Sequence, residues 1–330
     1  MIALTTIKDV AKKANVSIAT VSRVINEKGY VSEKTRKSIH QAIRELNYSP
    51  NQLARNLYSA ETKAIGYIIP NVCHPFFSEV TQLIEKKLYD AGYHMLLCTT
   101  DRNADRESQI IDMLRQHRVD GIIVGSYTSN ISAYSKAGIP VVAFDTLLEC
   151  ADVCVSSNHQ VGGDMAADRV LKSGCRSVLQ VIGNPDAKTD AINRHRIFFE
   201  RMTLAGIPCV SVPITDHSNL DVFTYSHLAQ NLLQAYPEVD TYFATDLIAV
   251  EIVKAALRRG YRVPEDIQVI GYDGSYIAAM SYPAVTTICQ PIPELVNKVV
   301  TSICRLINGE PVEKNIILDN LFILEGATMR

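Results

Sequence analysis

The chain has 330 residues, more than one hydrophobic core usually serves, so two or three domains are expected. Hydrophobic residues make up 47% of it, which excludes a disordered chain and favours packed cores. The formal net charge is −2, but residues 1–59 hold ten Lys and Arg against four Asp and Glu, which leaves a net charge of −8 on the rest. This asymmetry predicts that any binding to a polyanion belongs to the small basic N-terminal segment.

The cysteines and the apolar runs exclude several classes of protein. Of the eight cysteines only Cys150 and Cys154 lie close together, whereas zinc sites need clustered ligand pairs. We therefore expect free thiols and no metal. No apolar run approaches the roughly 20 residues that cross a bilayer, and the first residues lack the pattern of a signal peptide. The sequence predicts a soluble cytoplasmic protein, which DNA binding would associate with the nucleoid.

The first fifty residues predict three short helices. Thr6 is a good N-cap for a first helix, Asn15 and Val16 form a turn, Ser17 caps a second helix and Ser32 caps a third. Each helix carries apolar residues at helical spacing, so the three can pack together. They would form a helix-turn-helix domain whose second helix can enter the major groove of DNA. An ordinary three-helix bundle that touches no DNA remains the alternative.

Motifs across residues 5–58 carry a more specific signal. They include Ile-Lys-Asp-Val-Ala from residue 7, Thr-Val-Ser-Arg-Val-Ile-Asn from residue 20, and Leu-Asn-Tyr-Ser-Pro-Asn-Gln-Leu-Ala-Arg-Asn-Leu from residue 46. In this order they closely resemble the headpiece of the lac repressor/galactose repressor (LacI/GalR) family of bacterial transcription regulators. The resemblance implies a repressor of a sugar operon, with sucrose or another plant saccharide as our first candidate.

The same resemblance implies base reading by three residues, Ile18, Ala19 and Arg23. Arg23 can form two hydrogen bonds to a guanine edge, whereas the other two offer only apolar contact, for instance with a thymine methyl group. Polar residues nearby are expected at phosphates, which fix the register but carry no sequence information. These residues are Thr6, Ser17, Thr20, Ser22 and Asn26.

Residues 50–61 predict a hinge helix and linker. Pro50 suits the first helical position, but one such short helix is marginal alone in water. In the resembling family two hinge helices pair on the operator and insert a Leu into the minor groove, which bends the duplex. Leu57 holds that position here, and a plain linker is the alternative. The hinge residues expected at the DNA are Asn51, Ala54, Arg55 and Leu57.

From residue 64 onward, strand-like apolar runs alternate with amphipathic helical stretches, a pattern typical of parallel sheets covered by helices. The series divides near residues 158–163, and a helix and a pair of strands follow Gln290. This predicts an α/β core of two doubly wound parallel-sheet lobes with a ligand at the carboxyl ends of the strands. The resemblance to the LacI/GalR family implies the same core, which in that family is similar to periplasmic sugar-binding proteins. The predicted strands are 64–70, 94–100, 121–125, 140–145, 178–183, 208–214, 241–246 and 267–273.

The expected domain boundaries follow from these patterns. A helix-turn-helix headpiece takes residues 1–49, the hinge 50–61, and an effector-binding and dimerisation core 62–330. Within the core, lobe 1 is expected over residues 62–160 and 292–322. Lobe 2 takes residues 161–291 and the C-terminal strand. The last residues carry no Leu heptads, so no tetramerising coiled coil is expected.

Candidate ligand-binding residues lie where the predicted strands end. Carboxylates and a guanidinium can fix sugar hydroxyls, and aromatic faces stack on sugar C–H groups. Correspondence with the family places Arg194 and Asp273 above the rest. The alternative is that the Phe residues belong to the core and the Asp residues cap helices. The full set is Asn71, Phe76, Phe77, Asp145, Arg194, Tyr242, Thr245 and Asp273.

The sequence lacks the motifs of common enzymes, namely the Gly-rich nucleotide loops, His-Glu-x-x-His and Gly-x-Ser-x-Gly. We therefore expect no catalytic residues, cofactor or metal. The expected partners are a pseudo-palindromic DNA operator, a second copy of the chain, and a small sugar or sugar phosphate whose binding releases the DNA. The alternatives are a sugar-binding protein for uptake and a global catabolite regulator that needs a protein corepressor.

Overall fold

The computed structural model describes residues 5–25, 29–48, 62–125, 131–146, 148–185, 189–214 and 222–330. The chain divides into two compact units, residues 1–62 and 63–330. Within the described ranges, every helix is too short or too polar to span a bilayer. All eight cysteines are free thiols.

The N-terminal unit contains helices α1 (Ile7–Ala14), α2 (Ile18–Ile25) and α3 (Glu33–Glu45). Val10, Val21, Val24 and Ile39 are buried between them and form a small apolar core. Asn15 ends α1 in the left-handed region, at φ 51°, which turns the chain sharply into α2. The three predicted helices and their tight turn are therefore present.

The first lobe of the C-terminal unit is a six-stranded, fully parallel sheet. Its strands lie in the order β11-β5-β4-β3-β1-β2, and helices cover both faces. The strands are β1 (Ala64–Ile69), β2 (His94–Thr99), β3 (Gly121–Val124), β4 (Val141–Phe144), β5 (Val153–Ser157) and β11 (Asn315–Leu318). The helices are α4 (Pro75–Asp90), α5 (Ala104–Gln116), α6 (Ile131–Ala137) and α12 (Ile292–Ile307).

The second lobe repeats this arrangement in the order β12-β10-β9-β8-β6-β7, and only β12 is antiparallel to its neighbour. Its strands are β6 (Val178–Ile182), β7 (Cys209–Pro213), β8 (Thr241–Phe243), β9 (Gln268–Asp273), β10 (Thr286–Cys289) and β12 (Phe322–Leu324). Its helices are α7 (His159–Lys172), α8 (Ile192–Leu204), α9 (Val222–Ala235), α10 (Asp246–Arg258) and α11 (Tyr276–Met280). The predicted fold class, a helical headpiece with two parallel-sheet lobes, is confirmed.

Three crossings connect the lobes: from β5 to α7, from β10 to α12, and from β11 to β12. The crossings are hydrogen-bonded to one another. Ser157 Oγ donates to Gln290 Oε1 at 2.8 Å, and Asn158 Nδ2 donates to Asp319 Oδ1 at 2.7 Å. These contacts fix the edge at which the carboxyl ends of both sheets face each other.

Candidate functional site

Helix α2 has one buried and one exposed face. Val21 and Val24 point into the core, while Ile18 is 44% exposed and both Ala19 and Arg23 are exposed. The helical period of 3.6 residues separates the two sets. The three residues expected to read bases therefore share the outer side of α2.

Three of the residues expected at phosphates, Thr6, Ser17 and Thr20, form hydrogen bonds at the N-terminal ends of α1 and α2. Ser17 Oγ accepts the Thr20 N–H at 3.1 Å and lies 2.8 Å from Thr20 Oγ1, so it caps α2. Thr6 donates its N–H and its hydroxyl to the Asp9 carboxylate at 2.8 and 2.6 Å. Ser22 is half-buried. The other DNA-contact candidates, Asn26, Asn51, Ala54, Arg55 and Leu57, lie outside the described residues.

The carboxyl ends of β4 and β9 each hold a buried aspartate in strained backbone. Asp145 follows β4 directly, with φ 52° and 3% exposure, and Asp273 ends β9, with φ 111° and 4% exposure. Positive φ values are unfavourable for residues other than Gly, and such strain concentrates at functional sites. Because β4 and β9 occupy the same place in the two strand orders, the aspartates are equivalent positions of the two lobes.

Arg194, in the first turn of α8, lies beside Asp273. Its Nη1 is 3.4 Å from Asp273 Oδ1, and its guanidinium carbon lies 4.3 Å from the centre of the Tyr272 ring, in a cation–π contact. Burial raises the pKa of Asp273 above its ordinary value, although the charge of Arg194 and a hydrogen bond from Gln290 oppose this shift. The pair brings both a donor and acceptors of hydrogen bonds to the cleft.

A second contact orients the guanidinium of Arg194, a hydrogen bond to His195. Arg194 Nε donates to His195 Nε2 at 3.3 Å, so in His195 the hydrogen must be on Nδ1, which lies 3.2 Å from Gln180 Oε1. Gln180 in turn donates to Ser211 Oγ at 2.8 Å. Burial, together with the charge of Arg194, lowers the pKa of His195 well below its usual value. A neutral imidazole therefore accepts from Arg194 and fixes its side chain.

Asp145, in lobe 1, is held by contacts from lobe 2. His159 Nε2 lies 2.7 Å from its Oδ1, and Thr189 donates its hydroxyl to the Asp145 carbonyl at 3.0 Å. Burial alone would raise the pKa of Asp145, but His159 and the charge of Arg194 hold that pKa below its ordinary value. Asp145 is therefore a carboxylate that accepts hydrogen bonds at neutral pH.

The two phenylalanines, Phe76 and Phe77, lie in the first turn of α4, in lobe 1. Both are buried, and Phe76 stacks on Phe144 with ring centres 5.9 Å apart, inside the hydrophobic core. Phe77 packs edge-on against His74, which precedes α4. Phe76 is thus chiefly a core residue, as the alternative interpretation had it, and Phe77 is the one in contact with a polar side chain.

Asn71 and Thr245 are half-buried at the carboxyl ends of β1 and β8. Asn71 Oδ1 accepts the backbone N–H groups of Cys73 and His74 at 3.1 and 3.0 Å, which shapes the turn into α4. Thr245 immediately precedes α10 in extended backbone. Both residues therefore belong to the same edge of their sheets as Asp145 and Asp273.

Tyr242 is placed differently from the expectation. It is 0% exposed, lies within the short strand β8, and packs in the hydrophobic core of lobe 2. Alternation along β8 turns its side chain toward the helices that cover this sheet, rather than toward the carboxyl edge. We therefore leave Tyr242 out of the proposed site.

The candidate ligand-binding set from the sequence did not include several residues of this edge, among them His159, Gln290 and His74, although the sequence did indicate His74 and His159 as polar loop or cleft residues. Gln290 Nε2 donates to Asp273 Oδ1 at 3.0 Å. His74 Nδ1 is buried without a hydrogen-bond partner among the described residues, and burial, with the charges of Arg102 and Arg194, lowers the pKa of His74 to about 4. His159 and Gln290 follow β5 and β10, two strands that were not predicted. Candidate residues were taken from the ends of predicted strands, so these two were not among them.

The comparisons with known proteins agree with both parts of this architecture. Residues 6–51 match the model of bacterial regulatory proteins of the lacI family. Residues 62–303 match the model of periplasmic binding proteins and the sugar-binding domain of the LacI family, which covers more than half of the chain. The chain belongs to the LacI family.

Two relatives of this LacI-family protein are named as sugar-operon repressors. The ribose operon repressor of Halalkalibacterium halodurans is 36% identical over 293 residues, 88% of this chain and 87% of that protein. The sucrose operon repressor of Streptococcus mutans is 35% identical over 310 residues, 94% of this chain and 95% of that protein. Family membership makes the chain a DNA-binding transcription regulator and not an enzyme.

Solved structures agree in fold. A LacI-type regulator from Alkaliphilus metalliredigens, complexed with D-xylulofuranose, has a TM-score of 0.74 at 29% identity and covers 81% of this chain and 99% of its own. The lac repressor dimer bound to operator has a TM-score of 0.85 at 23% identity and covers 98% and 99%. The second likeness concerns the fold alone.

Proposed function

We propose that this LacI-family protein is a homodimeric repressor of a carbohydrate-utilisation operon in the cytoplasm. It binds a pseudo-palindromic operator through its two headpieces, and a small sugar or sugar phosphate in the cleft between the lobes lowers its affinity for that operator. The names of the two repressor relatives, for ribose and sucrose operons, support the carbohydrate class.

The convergence of Asp145, Arg194 and Asp273 carries this proposal. They come from both lobes, and each is held by buried neighbours rather than by solvent. A sugar hydroxyl both donates and accepts a hydrogen bond, so carboxylates and a guanidinium side by side can satisfy it. A ligand that contacts both lobes favours their closed arrangement.

The DNA-binding part rests on the exposed side of α2. Ile18, Ala19 and Arg23 provide two apolar contacts and one bidentate donor, which together can distinguish base pairs in the major groove. One headpiece reads one half-site, so a two-fold dimer matches a pseudo-palindromic operator. The chain runs from the headpiece through residues 50–61 into β1 of lobe 1. Effector and operator binding are then coupled by a free energy typically of about 1–3 kcal/mol.

The test begins with selection of an operator from genomic fragments by the full-length protein. Binding to that operator is then titrated with sucrose, D-ribose, D-fructose and their phosphates. One of these should weaken operator binding by about 5- to 150-fold, the range of typical allosteric coupling. Arg194→Ala should abolish the response. Arg196→Ala, two residues further along α8, is the matched control because Arg196 is exposed and pairs with Glu200 and Asn193 on its own helix.

Each outcome bears on a different part of the proposal. If the protein preferred no fragment over bulk DNA, the proposed binding to a specific operator would be contradicted. If no sugar changed operator binding, the proposed sugar effector would be contradicted, and the alternative of a protein corepressor would replace it. A sugar that tightens operator binding would reverse the expected sign.

A further inference from the structure

His159 is a deeply buried polar residue between the two lobes. It begins α7 at the first crossing and is 1% exposed. Both ring nitrogens have partners: Nε2 lies 2.7 Å from Asp145 Oδ1, and Nδ1 lies 3.0 Å from the Tyr272 hydroxyl. One imidazole thus connects the strained aspartate of lobe 1 to strand β9 of lobe 2, and it has no surface left for a ligand.

The direction of these hydrogen bonds follows from the partners. An ionised carboxylate only accepts, so Nε2 carries a hydrogen and donates to Asp145. Burial raises the pKa of Tyr272, so its hydroxyl keeps its proton and can donate to Nδ1. The chain of donors runs from Tyr272 through His159 to Asp145, and every member is buried. A buried network whose members are all satisfied is rigid.

Tyr272 passes this constraint on to Arg194. The guanidinium lies on the Tyr272 ring, 4.3 Å from its centre, so a displaced ring would displace the guanidinium. Helix α7 also packs closely on this ring, because a Cβ built on Gly162 would lie 2.9 Å from both Cε2 and Cζ of Tyr272. The two cleft residues of opposite charge, Asp145 and Arg194, are therefore positioned by the same imidazole.

We infer that His159 is a positioning residue for effector binding: it holds Asp145 of one lobe and, through Tyr272, Arg194 of the other in the geometry that a sugar bridges. The inference rests on the proposed effector cleft. It differs from a purely structural role, in which any side chain of similar volume at position 159 would serve.

The experiment compares four variants of the full-length protein. His159→Gln keeps a donor for Asp145 and an acceptor for Tyr272, whereas His159→Leu keeps only the volume. Tyr272→Phe removes the hydroxyl and leaves the ring under Arg194. Tyr134→Phe is the matched control, because it also removes a buried, hydrogen-bonded hydroxyl, one that donates to the Glu107 carboxylate in the separate apolar cluster of α5 and α6.

Affinities for sucrose, D-ribose, D-fructose and their phosphates are measured by calorimetry. For the sugar that binds, His159→Leu and Tyr272→Phe should lose about tenfold or more in affinity, as expected when a buried hydrogen bond to a charged or polar group is broken. His159→Gln should stay within about threefold of the wild type, and Tyr134→Phe should bind normally although it loses stability. Equal affinities of the Gln and Leu variants, or normal affinity of both, would overturn the inference.

Two nuclear magnetic resonance readouts do not depend on a sugar. The His159 ring should show its hydrogen on Nε2, and the Arg194 Nε–H signal, identified with Arg194→Lys, should move in Tyr272→Phe and His159→Leu but not in Tyr134→Phe. A hydrogen on Nδ1 alone, or an unmoved Arg194 signal, would overturn the inference. If the wild type bound none of these sugars or sugar phosphates, the effector part of the proposed function would fail, while these signals would still decide the role of His159.

Discussion

Replacing Gly162 with Ala tests the tight packing around Tyr272. Gly162 lies in the first turn of α7, where alanine would ordinarily add up to about 1 kcal/mol of helix stability. The added Cβ, however, would lie inside contact distance of the Tyr272 hydroxyl and 2.9 Å from two ring carbons. Tyr272 is fully buried, so the ring cannot move into solvent.

The sign of the effect follows from comparing these contributions. If the ring stays, overpacking costs about 1–3 kcal/mol. If it shifts, the hydrogen bond to His159 breaks and leaves buried polar atoms unsatisfied, which costs about 1–3 kcal/mol. Because the contact is so close, we take the upper end of either range and subtract the helix gain, which leaves a loss of about 2 kcal/mol.

Thermal unfolding followed by circular dichroism measures this loss. For a unit of this size, about 2 kcal/mol corresponds to a Tm lower by roughly 4–8 °C. The control is Gly183→Ala, where nothing lies within 4 Å of the added Cβ, and it should change stability by less than about 0.5 kcal/mol. The double variant Gly162→Ala/Tyr272→Phe should lose less than the sum of its parts. A Gly162→Ala protein as stable as the wild type would refute the packing argument.

Three further predictions concern the headpiece, the pH dependence and the helix pair around Arg194. Arg23→Ala should weaken binding to the selected operator by about 1–3 kcal/mol and flatten discrimination at one base pair. Arg23→Lys should lose this discrimination but keep the salt dependence of binding. Gel shifts on single-base operator variants measure both effects. His74 has a folded pKa of about 4, below its unfolded value, so stability is lost as pH falls from 6.5 towards 4. His74→Asn should therefore reduce the drop in unfolding free energy between pH 7.5 and pH 5 by about 1–2 kcal/mol in denaturant titrations, and an unchanged drop would contradict the shift. Gly163→Ala should weaken sugar binding as well as stability, because its Cβ would press on the backbone of Arg194, and normal affinity would show that α8 can yield.

Much of the fold follows from local sequence patterns. The eight predicted runs each contain a strand, and their limits agree within a residue or so except at β8. There the prediction ran to Asp246, but the strand ends at Phe243 because Thr245 turns the chain into α10. Asp246 accepts hydrogen bonds from Ser275 and Thr287, so it supports the fold rather than the cleft.

The two strands that sequence reasoning missed depend on contacts from distant residues. β10 reads Thr-Thr-Ile-Cys, and its threonines are buried because Thr287 donates to Asp246 and Thr286 accepts from the N–H of Gly326. β5 has only five residues and ends in two serines. Neither Asp246 nor Gly326, the partners of the two β10 threonines, is near β10 in sequence. Propensity alone therefore could not identify these strands.

The missed strands explain why the site was only partly foreseen. Asp145 and Asp273 lie at the carboxyl ends of β4 and β9, which are third in the spatial order of each sheet, and the neighbouring strands β5 and β10 place His159 and Gln290 beside them. His159 donates to Asp145 and Gln290 donates to Asp273, so each strained carboxylate has one buried donor from the adjacent crossing. Both lobes thus have the same arrangement, in which an aspartate accepts a hydrogen bond from a residue of the next crossing segment. Since a crossing segment must move whenever the lobes move, the carboxylates that a sugar would contact are tied to the same segments that set the angle between the lobes.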